Sequence, residues 1–438
     1  MDTVDHQGHD TQGRPWVRCF DGGMSAAQEF SLRRIAVPAF APSAIWAIGN
    51  GATLPIIALS GRELGASVSL AAILVGLTAA AEFVFAVPAG IFVARVGEQR
   101  GLLVAAGVDA LGAGLCWWAP NLMVLALGLV LIGPSSAIFL ISRQSYLTAV
   151  APVYMRARAM SMLGGVTRVG WLVGPLIGAA VVARFGTQAA YAVAVAAGLL
   201  AMLVTHLSRG LEVDEVVGAG SRSGLPEQVR VLEVVKVHRR VLATVGTGVL
   251  AIAMARSGRA VAIPLWGEQI GLSPARISLI FGAGVLVEVL IFYPSGLLMD
   301  RRGRVIVAVP TTILLGLSLI LLPLTTTALG LTAVSLLTGL GNGLGSGIVM
   351  TLGADAAPQV GRAQFLSVWR LLSLVGHNGS PLAIAAITAL SGLAPALIAV
   401  GVASILGGGW LAIWLPGHDP RRRADGIPPR GEGESTTR

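Results

Sequence analysis

Two glutamates, Glu82 and Glu288, stand in the middle of long apolar runs, within the stretches EFVFAVPAG and EVLIFYPSG. Each precedes an arginine, Arg95 or Arg301, by 13 residues. If these arginines mark a membrane surface, a helical rise of about 1.5 Å per residue puts each carboxyl group roughly 20 Å deep, past the middle of a hydrocarbon layer about 30 Å thick. A charged carboxylate facing lipid there costs at least about 2 to 3 kcal/mol. Each glutamate must therefore face a polar cavity, pair with a cation or carry a proton.

A carboxyl group that is shielded from water can take up a proton on one side of a membrane and release it on the other. We therefore predict that Glu82 and Glu288 are proton-coupling residues, and we add Asp109 and His377, which also stand in apolar runs. The alternative is a structural role, in which the carboxylates pair with intramembrane arginines and His377 forms a hydrogen bond between helices. Duplication of the glutamate does not decide between these interpretations, since a repeat copies structural residues as well.

Cationic and amide side chains in the apolar runs could bind a polar ligand. Arg256 and Arg259 are three residues apart and share one face of a helix. Such a pair suits an anionic group on a substrate; the alternative is that it pairs with Asp109 or with a glutamate. A shift of 209 residues sets Asn50 against Arg259, and Arg143 is expected to extend to the membrane surface. The predicted substrate-cavity residues are Asn50, Arg168, Arg256, Arg259 and Arg370.

The elements that position these residues follow from the composition. Hydrophobic residues make up 54% of the 438-residue chain, charged residues make up 12%, and the mean hydropathy is +0.77. A soluble domain carries about 25% charged residues. The apolar residues also fall in runs of roughly 20, the length that a helix needs to cross a bilayer. The chain is therefore predicted to cross a membrane several times.

Twelve such runs are present, and they are rich in Gly and Ala rather than in alternating polar residues. This pattern favours packed helices over a β-barrel. The predicted fold class is an all-α polytopic membrane protein with twelve transmembrane helices. The predicted spans cover residues 37–59, 70–94, 101–119, 122–146, 160–184, 188–208, 240–262, 273–299, 304–325, 329–351, 364–390 and 394–415.

The polar segments report the topology. The first 35 residues lack an apolar core followed by a small-residue cleavage site, so we expect no removable signal peptide. The 31 basic residues, all arginine except Lys236, crowd into both tails, the segment after span 6 and alternate loops. By the positive-inside rule, both tails and the linker are expected in the cytoplasm, and the basic charge does not indicate nucleic-acid binding. Cys19 and Cys116 lie in a tail and a span, so neither a disulfide nor a metal site is indicated.

The chain repeats itself with an offset of 206 residues, which superposes Glu82 on Glu288 and aligns three pairs of prolines. Chance would give well under one such proline pair. We therefore predict two parallel six-helix halves, with one cavity between them that rocking exposes to either side of the membrane. The predicted segments are an N-terminal tail (1–35), a first bundle (36–208), a linker (209–239), a second bundle (240–416) and a C-terminal tail (417–438).

The loop after span 8, GLLMDRRGR, matches the pattern G-x-x-x-D-R-x-G-R. It resembles the cytoplasmic loop motif of the major facilitator superfamily, and the resemblance implies the major facilitator fold. The motif residues are Gly296, Asp300, Arg301, Gly303 and Arg304. The first half keeps Gly90, Arg95 and Gly97 but has Ala94 in place of the acid. We expect Asp300 to lie near a helix N-terminus or to pair with basic groups, so that the two halves are held unequally.

The sequence GWLVGPLIGA in span 5 resembles a motif associated with antiporters of this superfamily, G-x-x-x-G-P-x-x-G-G. The matching residues are Gly170, Gly174, Pro175 and Gly178. Glycines four residues apart form a flat helix face and proline bends the helix, so packing alone is the alternative interpretation. In one respect the chain departs from the family: proton-coupled exporters often carry an arginine in span 4 before a glycine, whereas LGLVLIGPSS around Gly133 has none.

Together these features predict a secondary active transporter and not an enzyme. The resemblance implies proton-coupled efflux of a small organic molecule, a drug or a metabolite, by alternating access. The alternatives are an uptake symporter or facilitator on the same fold, or a membrane sensor or scaffold that moves nothing. The sequence has no phosphate-binding loop, so concentrative transport has to draw on an ion gradient.

The expected partners are a small-molecule substrate, protons and the lipid bilayer, without nucleic acid. We predict neither a cofactor nor a metal. The preference for Arg over Lys, with abundant Ala, Gly and Val, is typical of a GC-rich bacterial genome. The expected location is therefore a bacterial inner membrane, with both termini in the cytoplasm.

Overall fold

The computed structural model describes residues 36–150, 156–208, 231–358 and 361–418. In this part of the chain, twelve helices are long and apolar enough to cross a membrane, and no strand is present, which confirms the predicted all-α fold. Spans 1 to 12 are Phe40–Glu63, Val68–Val96, Glu98–Trp118, Leu122–Leu147, Ala159–Phe185, Ala189–Leu207, Arg239–Gln269, Pro274–Arg302, Val305–Leu324, Ala328–Ala356, Gln364–Ser391 and Leu393–Gly417.

Most spans are uninterrupted α-helices. Their bounds, for spans 2 to 6, 8, 9, 11 and 12, are Val68–Val96, Glu98–Trp118, Leu122–Val150, Arg156–Phe185, Ala189–Leu207, Pro274–Arg302, Val305–Leu321, Arg362–Ser391 and Leu393–Trp414. Short 3₁₀ turns, Leu322–Leu324 and Leu415–His418, form the ends of spans 9 and 12, and the helix Val231–Val237 precedes span 7.

Three spans that the sequence predicts as continuous are interrupted. Span 1 consists of helices Ala36–Thr53 and Ile57–Glu63, because Pro55 lacks a backbone N–H group and its ring clashes with the preceding turn. Span 7 consists of helix Arg239–Val241, a π-helical segment Leu242–Gly246, and helices Thr247–Ser257 and Arg259–Gln269.

Span 10 is broken near its middle. Helices Ala328–Leu344 and Ile348–Ala356 are joined at Gly347, which has a φ of +80°. A φ in this region strains residues that carry a Cβ atom, so glycine is the residue that suits it. The break exposes backbone carbonyl groups at the centre of the second bundle.

The same helix pairs pack in each half. In the first half, span 1 packs on spans 5 and 6, span 4 on spans 2 and 3, and span 3 on span 6. In the second half, span 7 packs on spans 11 and 12, span 10 on spans 8 and 9, and span 9 on span 12. The two bundles are therefore equivalent under the offset of 206 residues.

The halves meet along two equivalent interfaces, span 2 against span 11 and span 5 against span 8. At each interface a proline packs on a glycine. A Cβ atom on Gly76 would lie 3.1 Å from Cβ of Pro381, and one on Gly282 would lie 3.4 Å from Cβ of Pro175. Span 2 can approach span 11, and span 8 can approach span 5, because neither glycine has a side chain.

The apolar cores show where the halves are tied together. We call the end of the bundle where span 6 ends and span 7 begins the linker end, and the opposite end the far end. One core joins both halves at the far end, and it includes Leu59, Tyr191, Ile263 and Leu397. At the linker end the cores are separate: one around Leu147 belongs to the first half, and others lie within single halves as well.

Candidate functional site

Glu82 is the middle residue of the helix of span 2, and Glu288 is the middle residue of the helix of span 8. The structure thus places both glutamates at the middle of helices that are long enough to cross a membrane. The two glutamates lie on helices that form the interfaces between the halves. Their surroundings, however, differ.

Glu288 is held in two ion pairs. Its Oε2 atom lies 2.7 Å from Nη1 of Arg259 in span 7, and its Oε1 atom lies 3.5 Å from Nη1 of Arg168 in span 5. The side chain of Asn342 in span 10 lies close to the same carboxylate. Only 8% of Glu288 is exposed. The pair with Arg168 joins the two halves, and of the partners considered from the sequence, a glutamate is the one that the structure brings to the arginines.

Three arginines surround Glu288, and we call Arg168, Arg256 and Arg259 the arginine cluster. Nη1 of Arg168 donates a hydrogen bond to Oγ of Ser346 (2.8 Å), and Nη1 of Arg256 donates to the carbonyl oxygen of Gly345 (3.2 Å). Both acceptors lie in the break of span 10. The break therefore supplies polar partners for two arginines in an otherwise apolar region.

Aromatic rings also hold the cluster in place. The guanidinium carbon of Arg168 lies 4.0 Å from the centre of the Phe292 ring, and that of Arg259 lies 5.5 Å from the centre of the Phe281 ring. A guanidinium group over a ring face is stabilised by the ring quadrupole. Span 8 therefore contributes both the carboxylate and two aromatic contacts.

His377 lies near the middle of span 11 and within electrostatic range of Arg256 and Arg259. Its side chain is nevertheless exposed. His377 therefore lies beside the arginine cluster with an accessible side chain.

Glu82 has a weaker cationic environment than Glu288. It is half-buried, and Arg370 of span 11 lies within electrostatic range. Among the described residues, no Lys, Arg or His nitrogen lies within 4.0 Å of its carboxylate, the ion-pair limit that Glu288 meets twice. A Cβ atom on Gly133 of span 4 would lie 2.7 Å from the backbone nitrogen of Glu82. Span 4 is packed too closely here to place a side chain beside Glu82.

Two sequence candidates lie elsewhere. Asp109 is 4% exposed inside the first bundle, where Oγ of Ser135 donates a hydrogen bond to its Oδ1 atom (3.2 Å). Asn50 donates its side-chain hydrogen bond to the carbonyl of Trp46 in its own helix (3.3 Å). The structure does not bring either side chain into contact with the arginine cluster.

The loop motif ties the second half together at the linker end. Nε of Arg304 lies 2.9 Å from Oδ2 of Asp355, at the end of span 10. Asp300 lies 3.9 Å from Arg304, and its side chain is 74% exposed. Gly303 ends span 8 with a φ of +91°, and Gly97 ends span 2 with a φ of +85°. In the first half, Glu98 occupies the position equivalent to Arg304, so the arginine contact is specific to the second half.

The glycines of the span 5 motif pack inside the first bundle. A Cβ atom on Gly174 would lie 2.5 Å from the carbonyl oxygen of Ile48 in span 1, and one on Gly170 would lie 2.6 Å from Cβ of Ala47. Pro175 instead faces span 8. The glycines of the motif therefore pack span 5 against span 1 in the first bundle, and its proline packs span 5 against span 8 in the second bundle.

Two features were missed in the sequence. Arg143 does not extend to the membrane surface; it is 2% exposed, and its guanidinium carbon lies 5.6 Å from the centre of the Phe139 ring. An aromatic residue four positions earlier on the same helix face is the signal that could have found it. The acceptors in span 10 were also missed, although the closely spaced glycines of GLGNGLGSG indicate a weak helix.

Twelve helices of membrane-spanning length, arranged in two equivalent bundles, define the fold of a multi-pass membrane protein. A sequence profile described as the Major Facilitator Superfamily matches residues 43–377, and a second match covers residues 245–435. The chain therefore belongs to the Major Facilitator Superfamily, whose members are transporters and not enzymes.

Solved structures share the fold at low sequence identity. A POT family transporter in complex with 5-aminolevulinic acid has a TM-score of 0.71 at 13% identity, over 88% of this chain and 96% of its own. A mutant peptide transporter POT in complex with alafosfalin has a TM-score of 0.71 at 14% identity, over 88% and 95%. A peptide transporter POT in complex with sulfate has a TM-score of 0.70 at 14% identity, over 88% of this chain and 95% of its own. No curated protein matches the chain significantly.

Proposed function

We propose that the chain exports a small organic molecule in exchange for protons, by alternating access of the cavity between its halves. The observation that carries this proposal is the difference between two equivalent glutamates. Glu288 is held by Arg168 and Arg259, whereas Glu82 is half-buried with Arg370 at longer range. One carboxylate of the pair is committed to ion pairs, and the other is available to exchange a proton.

Glu82 suits a proton carrier for two reasons. It lies at the middle of the membrane, where a charged carboxylate is costly and binding of a proton removes the cost. It also faces span 11 across the interface between the halves, so a rocking motion changes its distance from Arg370. Protonation of Glu82 would then depend on which side of the membrane the cavity faces.

The packing supports alternating access. The shared core at the far end closes the cavity there, whereas each half has its own core at the linker end. We propose that the linker end is cytoplasmic, because the arginine-rich loops lie on that side. The structure then corresponds to the state in which the cavity faces the cytoplasm, in a bacterial inner membrane.

Uptake by symport is the second candidate. The motif in span 5 favours exchange, but the close packing of Gly133 leaves no cation from span 4 beside Glu82. Two of the similar structures are described as a peptide transporter, although similarity at 14% identity shows only that the fold is shared. A sensor or scaffold that transports nothing is disfavoured, because such a protein would not need the charged cluster around Glu288. Apolar residues of similar volume would give a buried region of equal or greater stability.

The test is proton movement in everted membrane vesicles, whose cytoplasmic face points outward. The lumen is acidified, a panel of cationic, neutral and anionic compounds is added outside, and the lumen pH is followed with a fluorescent dye. In the wild type, at least one compound is expected to raise the lumen pH, because the compound enters as protons leave. Glu82→Gln is expected to abolish this response, whereas Glu233→Gln, an exposed carboxylate before span 7, is expected to retain it.

Each other outcome is informative. An equal response in Glu82→Gln and the wild type would remove Glu82 from the coupling mechanism. If compounds accumulate in right-side-out vesicles together with protons, symport replaces exchange as the function. No proton movement with any compound in either orientation would leave a facilitator as the best interpretation.

A further inference from the structure

The arginine cluster carries more positive charge than the protein neutralises. Three guanidinium groups face one carboxylate, that of Glu288, which leaves an excess of two positive charges at the middle of the membrane. In the part of the chain that the structure describes, Glu288 is the one acidic group in electrostatic contact with Arg168 and Arg256. Uncompensated charge in a membrane interior is costly, and such residues mark ligand or ion pathways.

The guanidinium groups are also pre-organised. Within the described residues, every hydrogen bond of Arg168, Arg256 and Arg259 uses the Nη1 atom. The Nε and Nη2 groups of each side chain are left to bind something else. Contacts with Ser346 and Phe292 hold Arg168, and the carbonyl of Gly345 holds Arg256, so neither arginine depends on an added ligand for its position.

Part of the arginine cluster is accessible from outside the protein. Arg168 has 23% of its side chain exposed, and the neighbouring His377 is exposed as well. The three arginines come from both halves of the molecule: Arg168 lies in span 5, and Arg256 and Arg259 lie in span 7. A ligand bound here would therefore contact both bundles, as a transported molecule must.

We propose that the arginine cluster binds an anionic group of the transported molecule, a carboxylate or a phosphate. The planar guanidinium group offers paired N–H donors that match the oxygen spacing of both groups. The inference rests on the proposed transport function and names its substrate class. It also assigns the ligand-binding role to the second half and to span 5, apart from Glu82.

The test is ligand binding by the purified full-length chain in nanodiscs of phosphatidylcholine, whose head group carries no net charge. The unfolding temperature is followed by tryptophan fluorescence while sodium phosphate or sodium succinate is added at constant ionic strength. Sodium chloride and the uncharged dimethyl succinate serve as reference compounds. At least one of the two anions is expected to raise the unfolding temperature in a saturable manner, whereas the reference compounds are not.

Variants localise the effect. Arg256→Gln is expected to weaken the apparent affinity at least about tenfold, since a charge-assisted bidentate contact is worth about 1.5 to 3 kcal/mol. If that variant does not fold, Arg256→Lys, which keeps the charge but loses the paired donors, is expected to weaken binding in the same direction. Arg276→Gln changes an exposed arginine at the far end and is expected to bind like the wild type.

The proposal is overturned if neither anion gives a saturable increase, or if the Arg256 variant that folds binds as tightly as the wild type. The measurement uses no proton gradient, so it separates this inference from proton exchange through Glu82. Anion binding without proton exchange would leave the cluster as an anion site in a facilitator. Proton exchange without anion binding would support the proposed transport function but would show that the arginine cluster does not bind an anionic substrate.

Discussion

Glu288 of span 8 ties its helix to two others through its two carboxylate oxygens. Oε2 pairs with Arg259 of span 7, and Oε1 pairs with Arg168 of span 5. Removing one partner of a buried ion pair leaves an uncompensated charge and costs about 3 to 5 kcal/mol. An exposed ion pair contributes at most about 1 kcal/mol. This molecule has a buried pair and a partly exposed pair, which can be compared directly.

Glu288→Gln is expected to lower the free energy of unfolding by about 3 kcal/mol, because Arg168 and Arg259 both lose their partner. The matched control is Glu268→Gln, the same chemical change in a pair with Arg62 whose side chains are 31% and 33% exposed. Its expected cost is below about 1 kcal/mol. Unfolding of both variants in mixed micelles, followed by tryptophan fluorescence, measures the difference. Equal losses would contradict the burial of the Glu288 pairs.

Asp109→Asn is expected to leave proton exchange at the wild-type level, although Asp109 stands in an apolar run as Glu82 does. Its carboxylate lies inside the first bundle and accepts a hydrogen bond from Ser135, away from the interface between the halves. The lumen pH assay in everted vesicles checks this, with Glu82→Gln alongside. Loss of exchange in Asp109→Asn with a normal response in Glu82→Gln would place the proton site in the first bundle.

At the scale of helices, close packing holds neighbouring helices together, whereas a helix break provides polar groups for the arginine cluster. Span 5 uses its glycines to approach span 1, with backbone atoms in near contact at Gly174. Span 10 uses its break to present Gly345 and Ser346 to the arginine cluster. Rigid contacts thus hold each bundle, and irregular backbone occurs where its polar groups find partners inside the protein.

Gly174→Ala is expected to destabilise the first bundle by about 1 to 3 kcal/mol, because the added methyl group would lie 2.5 Å from the carbonyl oxygen of Ile48. Gly165→Ala is the matched control in the same helix, since a Cβ atom there meets nothing within 4 Å. That change is expected to be neutral or to stabilise by up to about 1 kcal/mol. Thermal unfolding of both variants in one detergent gives the comparison. A stable Gly174→Ala variant would show that span 1 can move away at little cost.

The whole molecule is closed at the far end by the shared core and by an ion pair. Nε of Arg62 lies 3.0 Å from Oε1 of Glu268, and these two residues occupy equivalent positions under the 206-residue offset. A contact between equivalent positions lies at the axis that relates the halves. Opening of the far end during transport therefore has to break it.

Arg62→Ala is expected to shift the equilibrium about fivefold toward the state that is open at the far end, as loss of about 1 kcal/mol implies. Spin labels on Arg184→Cys and Leu390→Cys, at the far ends of spans 5 and 11 in a background without Cys19 and Cys116, report the distance between the halves. The population at longer distance is expected to increase. Arg276→Ala, an exposed arginine at the same end, is the control and is expected to change nothing. An unchanged distance distribution in Arg62→Ala would show that the apolar core alone holds the far end.

The sequence alone determined the number of spans, their approximate bounds, the duplication and the position of Glu82 and Glu288 midway along their helices. The spans depend on the length of apolar runs and on the rise per residue, and the duplication depends on matching residues at one offset, so all of them can be read along the chain. The loop motif around Asp300 also indicated the superfamily, which the match to residues 43–377 shows.

Only the tertiary structure decided which charges meet. The spans are apolar on every side, so periodicity does not say which face of a helix points to a neighbour, to lipid or to the cavity. Asp109 and Glu82 therefore look alike in the sequence, yet one points into a bundle and the other toward an interface. The pairing of Glu288 with Arg168 joins residues 120 positions apart in different halves. It follows from how two bundles pack, and no local pattern contains that information.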